Sequence, residues 1–256
     1  MGADVAASVW TVSGPLHALF ASAEEPRASD IELAWYRERL PRDAGTFVDL
    51  MCGYGRLLVP LVESGIGLHG VDASAAMLSE CELRLSRASG AATLLRQDVA
   101  ELNVPFRYGA ALIAGAAFQR LIDVARARTA LERIRAHLVE PGLLMLDLYI
   151  PAESMQRIAA PLVEVRSTAL SDGSRIALRS ETTMYPDARI ARTESRFVHR
   201  RGRDLLREEN DTFALTWYEP DDLVPLVQDA GFRDIVVGPS PRPAAEGRAF
   251  SLMAHA

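Results

Sequence analysis

Between residues 30 and 151 the chain alternates short β-type runs with helical periodicity, and this alternation is the strongest constraint on its fold. TFVDL leads into RLLVPLVES, GLHGVD into AAMLSECELRLSRA, and AATLLRQD into YGAALIAG; ARTALERIRAHL and LLMLDLYI complete the series. Strand and helix repeating at short connection lengths predict a parallel sheet covered by helices on both faces, a doubly wound α/β domain. From Leu162 to about Trp217 the texture changes to long period-two segments, VEVRSTAL, SRIALRSETTMY, ARIARTESRFVHRR and LLREENDTFALTWY. Turn signals at Ser171-Asp172-Gly173 and Pro186-Asp187 separate them, which predicts an antiparallel sheet with one polar face. The α/β texture then returns as EPDDLVPLVQDAGF, a helix bounded by Pro220 and Gly231, followed by the strands RDIVVG and AFSLMAHA. The antiparallel part is therefore an insertion. The expected division is a core of residues 41–160 and 218–256, an inserted segment of residues 161–217, and residues 1–40 as a helical lid made of two amphipathic stretches, Gly14 to Ser22 and Asp30 to Leu40.

Charge narrows the partners. The 34 acidic residues outnumber 28 basic ones, for a formal net charge of -6, which argues against a nucleic-acid scaffold that works by neutralising phosphates. All 28 basic residues are arginine, so a lysine Schiff base and a phosphate-binding P-loop lysine are both excluded. Cys52 and Cys81 are the two cysteines and fall in core-like segments, an arrangement that fits a reducing cytoplasm rather than a disulfide framework. Neither a signal peptide nor a membrane span is readable, so a soluble cytosolic protein is expected, and the acidic charge balance points to a small-molecule or protein partner.

The segment that carries chemistry is FVDLMCGYGRLLVPL, where an apolar strand reaches Asp49, passes through Gly53-Tyr54-Gly55 and opens a helix. Glycines at such a junction let backbone N–H groups approach a ligand, and the helix amino terminus favours an anion. The next strand ends at Asp72, where a carboxylate can accept both hydroxyls of a ribose, and the third ends in Gln97-Asp98-Val99. Three consecutive strands thus bring a glycine turn and two acids to the carboxyl edge where open α/β sheets bind ligands. A nicotinamide dehydrogenase would need a third glycine three residues beyond Gly55, and Leu58 stands there.

FVDLMCGYGRLLVPL, GVDASAAML, RQDVAEL and HLVEPGLLMLDLYIP resemble the successive motifs of class I S-adenosylmethionine-dependent methyltransferases, and the late β insertion resembles the small-molecule subgroup that includes sugar N-methyltransferases. The resemblance implies a Rossmann-like seven-stranded sheet closed by an antiparallel hairpin, S-adenosylmethionine as cofactor with S-adenosylhomocysteine as product, and methylation of N or O on a small-molecule acceptor in specialised metabolism. It places Asp49, Met51, Cys52, Gly53 and Gly55 around the methionine portion, Asp72 at the ribose, Gln97, Asp98 and Val99 with Ala73 and Met77 about the adenine, and Ala114 or Gly115 at the methionine amine. Met51 stands where the family usually has its first glycine. Arg120 occupies the place where related sugar N-methyltransferases often carry a histidine, and because arginine stays protonated a histidine-dependent mechanism does not transfer to it.

For the acceptor end, His17 and Tyr36 are the candidate catalytic groups, with Arg120 as a contact at the reacting site. Trp10, Phe118, Gln119, Tyr149 and Trp217 are expected to wall the acceptor pocket, which would favour a planar or ring-bearing molecule. His199 lies in a charge-rich strand end that reads as solvated surface, and no Cys/His or His/carboxylate spacing suggests a metal. Two other readings of the insertion and the fold stand beside these: the β segment as a homodimer contact, and the fold as a cofactor pocket repurposed for binding, regulation or a reaction other than methyl transfer.

Overall fold

The computed structural model describes residues 13–41, 45–242, 244 and 246–256. Five parallel strands form the centre of a seven-stranded sheet: β1 (Phe47–Leu50), β2 (Leu68–Asp72), β3 (Thr93–Arg96), β4 (Tyr108–Ile113) and β5 (Leu138–Ile150). A second, antiparallel sheet of β6 (Leu162–Ala169), β7 (Arg175–Tyr185), β8 (Ile190–Arg201) and β9 (Asp204–Thr216) follows as a meander in the order β6-β7-β8-β9. The chain then returns to the first sheet through β10 (Arg233–Pro239) and β11 (Arg248–His255), which run antiparallel and give the order β10-β11-β5-β4-β1-β2-β3. The strand order reverses at β1, between β4 and β2, so a crevice opens at the carboxyl ends of these strands.

Side-chain alternation divides the core into two layers. Along β4, Tyr108, Ala111 and Ile113 pack on one face, against α5 (Val124–Ala136) and α7 (Pro220–Asp229). Ala110 and Leu112 point to the other, beneath α2 (Asp30–Arg39), α3 (Leu58–Glu63) and α4 (Ala75–Leu85). Ser29 caps α2 by accepting a bond from the Glu32 amide, and Ser74 caps α4 by accepting one from Met77. Gly70 of β2 is required by packing, since a side chain there would meet the Leu58 and Leu94 side chains at 2.6 and 2.8 Å.

The antiparallel sheet turns Ile176, Leu178 and Phe197 inward and packs them on Leu16 and Phe20 of α1 (Pro15–Glu24). The amino end of α1 is held by Glu209 of β9, whose carboxylate accepts from the amides of Leu16 and His17; a side chain at Gly14 would overlap that carboxylate. The two sheets are also joined by Gln119, in the 3₁₀ turn Ala117–Arg120 after β4. Its amide donates to the carbonyls of Tyr149 and Thr216 at 2.8 and 2.7 Å and accepts from the Tyr149 amide. A fully buried glutamine with three backbone bonds leaves unsatisfied polar groups when truncated, so Gln119→Ala should cost on the order of 2 kcal/mol or more in urea unfolding.

Candidate active site

The crevice at the strand ends is a cleft of about 350 Å³. Its floor is the turn after β1. Met51 takes a left-handed backbone at φ 56°, the conformation its usual glycine adopts freely, so the turn keeps its shape with a side chain added. Gly53 is also left-handed, and a side chain there would first meet Met77 Sδ at 3.9 Å, which leaves space over the turn. Gly55 lies away from the cleft. A side chain at that position would meet Cys81 Sγ at 2.6 Å and Val59 Cγ2 at 2.9 Å, so this glycine serves the approach of α3 to α4. Asp49, Met51, Cys52, Gly53, Asp72, Ala73, Met77, Gln97, Asp98, Val99, Ala114 and Gly115 all face the cleft.

Each acid is placed by local structure. Asp72 closes β2, and its two oxygens accept from the amides of Gly53 and Ser74 at 2.9 and 2.8 Å, so it braces the glycine turn while facing the cleft. Burial raises its carboxyl, opposed by those two amide bonds. Asp98 caps the 3₁₀ turn Val99–Glu101 through the Ala100 amide and pairs with Arg126 at 2.5 Å.

Asp49 and Asp147 follow from strand alternation, since both lie on the face covered by α2 and α3, in positions that would otherwise hold apolar side chains. Asp147 accepts from the Gly115 amide and, at 3.0 Å, from the Tyr36 hydroxyl. Glu32 from α2 forms a bidentate pair with Arg56 at 2.6 and 2.7 Å, both side chains being buried. Glu25 adds a further contact to Arg56 at 3.3 Å and binds Arg242 of the β10–β11 loop at 2.8 Å. Burial pushes the Asp49 carboxyl up to about 8, with Arg56 working against it and the neighbouring acids adding to it. Asp147 rises to about 6, again through burial, with the Tyr36 hydrogen bond opposing. Three buried carboxylates thus share one buried guanidinium, so the floor of the cleft holds two more carboxyl groups than cations.

The opposite wall comes from α1 and the antiparallel sheet. His17 faces the cleft, its Nδ1 bonded to buried Asp211 of β9 and its ring stacked on Phe197 at 5.4 Å. Phe213, Leu215 and Arg120 complete this wall, with the Arg120 guanidinium 5.1 Å from the Phe213 ring centre.

Several expected site residues lie elsewhere. Tyr36 is fully buried against Asp147 and does not line the cleft, because α2 packs its ring into the core. Phe118 is fully buried and packs on Tyr218, Trp217 is buried in the same layer, and Gln119 is spent on backbone bonds. Tyr149 pairs with Gln119 through its backbone, and its hydroxyl contacts Met155 at 3.7 Å. Trp10 lies outside the described residues. This wall of the cleft is therefore lined by Phe213 and Leu215, while Phe118 and Trp217 are buried in the core. Tyr54, Arg56, Phe213, Leu215 and Arg242 are cleft residues that the sequence reading passed over.

Residues 47–142 match the model of the methyltransferase domain family. In sequence this stretch is similar to a methyltransferase domain. It holds the glycine turn, Asp72, Asp98 and Arg120, that is, the floor and one side of the cleft. No curated protein matches the chain in sequence. In fold the chain is similar to an S-adenosylmethionine-dependent methyltransferase from Clostridium acetobutylicum ATCC 824, with a TM-score of 0.74 at 14% identity over 93% of this chain and 96% of that one. It is also similar to the sugar N-methyltransferase KedS8 from Streptoalloteichus sp ATCC 53650, with a TM-score of 0.71 at 18% identity over 88% and 87% of the two chains. A third likeness is to CalS10 from Micromonospora echinaspora, an amino pentose methyltransferase with bound S-adenosylmethionine, at a TM-score of 0.67, 21% identity and 92% and 95% coverage. The chain shares their fold, and no helix among its described residues is long and apolar enough to cross a membrane.

The carboxylate surplus has a pH signature. A folded-state carboxyl raised from 3.8 to about 8 contributes stability that is present below the lower value and is lost as pH rises toward the upper one. Asp49→Asn removes this loss, so its melting temperature should match the wild type near pH 4 and exceed it by several degrees at pH 8, in scanning calorimetry without ligand.

Proposed function

We propose that this methyltransferase transfers a methyl group from S-adenosylmethionine to nitrogen or oxygen of a small-molecule acceptor in specialised metabolism. The observation that carries the reading is a single cleft with a cation-seeking acidic floor at the strand ends and a histidine–aspartate pair on the facing wall. The residues present fit the cofactor: there is open space above Gly53, and the buried acids lack a cation. Asp49, Asp72, Asp98 and Val99 all line the cleft, and in this reading Asp72 takes the ribose hydroxyls, Asp98 and Val99 the adenine, and Asp49 the methionine ammonium. Arg56 and Arg242 converge within 3.6 Å of where a Gly115 side chain would stand and suit the methionine carboxylate. Bound there, S-adenosylmethionine supplies a methyl group already activated on a sulfonium.

What remains for the chain is to hold the acceptor in line, to exclude water and to take a proton. Asp211 orients His17 through Nδ1, which leaves Nε2 as the basic atom of the ring; we assign it the acceptor's proton. Phe213 and Leu215 supply the apolar wall. The two cysteines are unpaired and buried, in keeping with the reducing cytoplasm we expect for it.

Two measurements test the reading. Titration calorimetry should show micromolar binding of S-adenosylmethionine and S-adenosylhomocysteine, weakened at least tenfold, about 1.4 kcal/mol, in Asp72→Ala; no binding to the wild type would end the methyltransferase proposal. With an acceptor found by screening for S-adenosylhomocysteine release, His17→Gln and Asp211→Asn should each lower kcat by about 10²-fold or more, while cofactor affinity stays within twofold of wild type. Unchanged kcat in both would remove His17 as the base.

A further inference from the structure

Among the described residues, the arginine on the wall facing the acidic floor has no counter-ion. Arg120 ends the 3₁₀ turn after β4, is half-buried, and rests its guanidinium on the Phe213 ring. Among the described residues no carboxylate lies within ion-pairing distance of it and no hydrogen bond to it is formed, although it faces the cleft. The acids that act on it, Asp211 and Asp72, do so through space, and both are engaged: Asp211 with His17, Asp72 with the amides of Gly53 and Ser74. Burial alone disfavours the charged guanidinium and lowers its proton affinity. A desolvated cation of this kind is stabilised when a ligand brings the missing anion.

The acceptor's charge follows from this, given the reading of the cleft above. An ammonium-bearing acceptor entering between Arg120 and a sulfonium would face two positive charges, whereas an oxyanion is attracted by both. Among the described residues no second arginine stands beside it on this wall, and His17 there is already paired with Asp211, which matches a monoanion rather than a phosphate dianion. We propose that Arg120 is the anion receptor of the acceptor site, and that the acceptor is a carboxylate-bearing molecule whose carboxylate pairs with this guanidinium while its apolar body lies along Phe213 and Leu215. Such an acceptor differs in charge from a sugar amine.

Small aromatic probes test this by calorimetry on the full chain, alone and saturated with S-adenosylhomocysteine. Benzoate should bind at least tenfold more tightly than benzyl alcohol, benzylamine or phenyl phosphate, and Arg120→Met should lose at least tenfold of that affinity. Arg120→Gln serves as a second variant, and both are checked against wild type by circular dichroism and melting temperature. Arg120→Lys should retain part of the affinity, since it keeps the charge but not the planar fork. Benzylamine binding as tightly as benzoate, benzoate affinity unchanged in both neutral variants, or no benzoate binding to the wild type would each overturn the proposal. Tighter binding of phenyl phosphate would overturn the monoanion assignment. Should S-adenosylhomocysteine fail to bind while the benzoate pattern holds, the methyltransferase proposal fails and the anion receptor stands.

Discussion

The bidentate pair between Arg56 and Glu32 lies under the whole cleft, and its insufficiency shapes everything above it. One guanidinium serves Glu32 directly and Asp49 through space, while Asp147 is left to the Tyr36 hydroxyl and the Gly115 amide. A buried cluster with more carboxylates than cations is costly in the empty protein, and part of that cost returns when a cationic ligand enters. The same contacts set the geometry, because the Gly115 amide that holds Asp147 also fixes the loop after β4, and that loop leads directly into the turn carrying Gln119 and Arg120.

The parallel core was legible because its signals are local and repetitive. Runs such as YGAALIAG and LLMLDLYI read as strands buried on both faces, and the structure divides their alternate residues between two helical layers. The strand-end acids were legible for the same reason, as carboxylates at or just beyond the ends of consecutive strands. Aromatic residues were the opposite case. Phe118, Trp217 and Tyr36 lie close to the cleft in sequence but turn into the core, and only the packing of α2 and of the 3₁₀ turn decides their direction. A usable signal did exist for the cleft wall that the structure shows, since Asp211, Phe213 and Leu215 share one face of a period-two strand. Arg56 follows the glycine turn directly and had a comparable signal. Arg242 had none: it sits on a loop whose course depends on the β10–β11 pairing.

The antiparallel sheet contributes to the site at second hand as well as directly. It presents Phe213 and Leu215 itself, but it also seats α1, through the Leu16 and Phe20 contacts and the Glu209 cap. His17 therefore depends on β9 twice, for the position of its backbone and for the Asp211 bond that orients its ring. Gln119 joins the same sheet to β5, so one glutamine and one glutamate, neither facing the cleft, hold the two halves of the site in register.

Ser74 connects these halves by a shorter route. Its amide is held by Asp72, and its hydroxyl donates to the carbonyl of Ser13, just ahead of the helix that carries His17. A short chain of hydrogen bonds and backbone thus runs from the acid that ends β2 to the histidine on the facing wall of the cleft. Any ligand that alters how Asp72 holds Ser74 changes the free energy of α1 in its seat, and thermodynamic linkage makes such an effect mutual: whatever one occupant gains from the presence of the other, the second gains from the first. The serine that caps α4 thereby makes the affinities of the two sites reciprocal quantities.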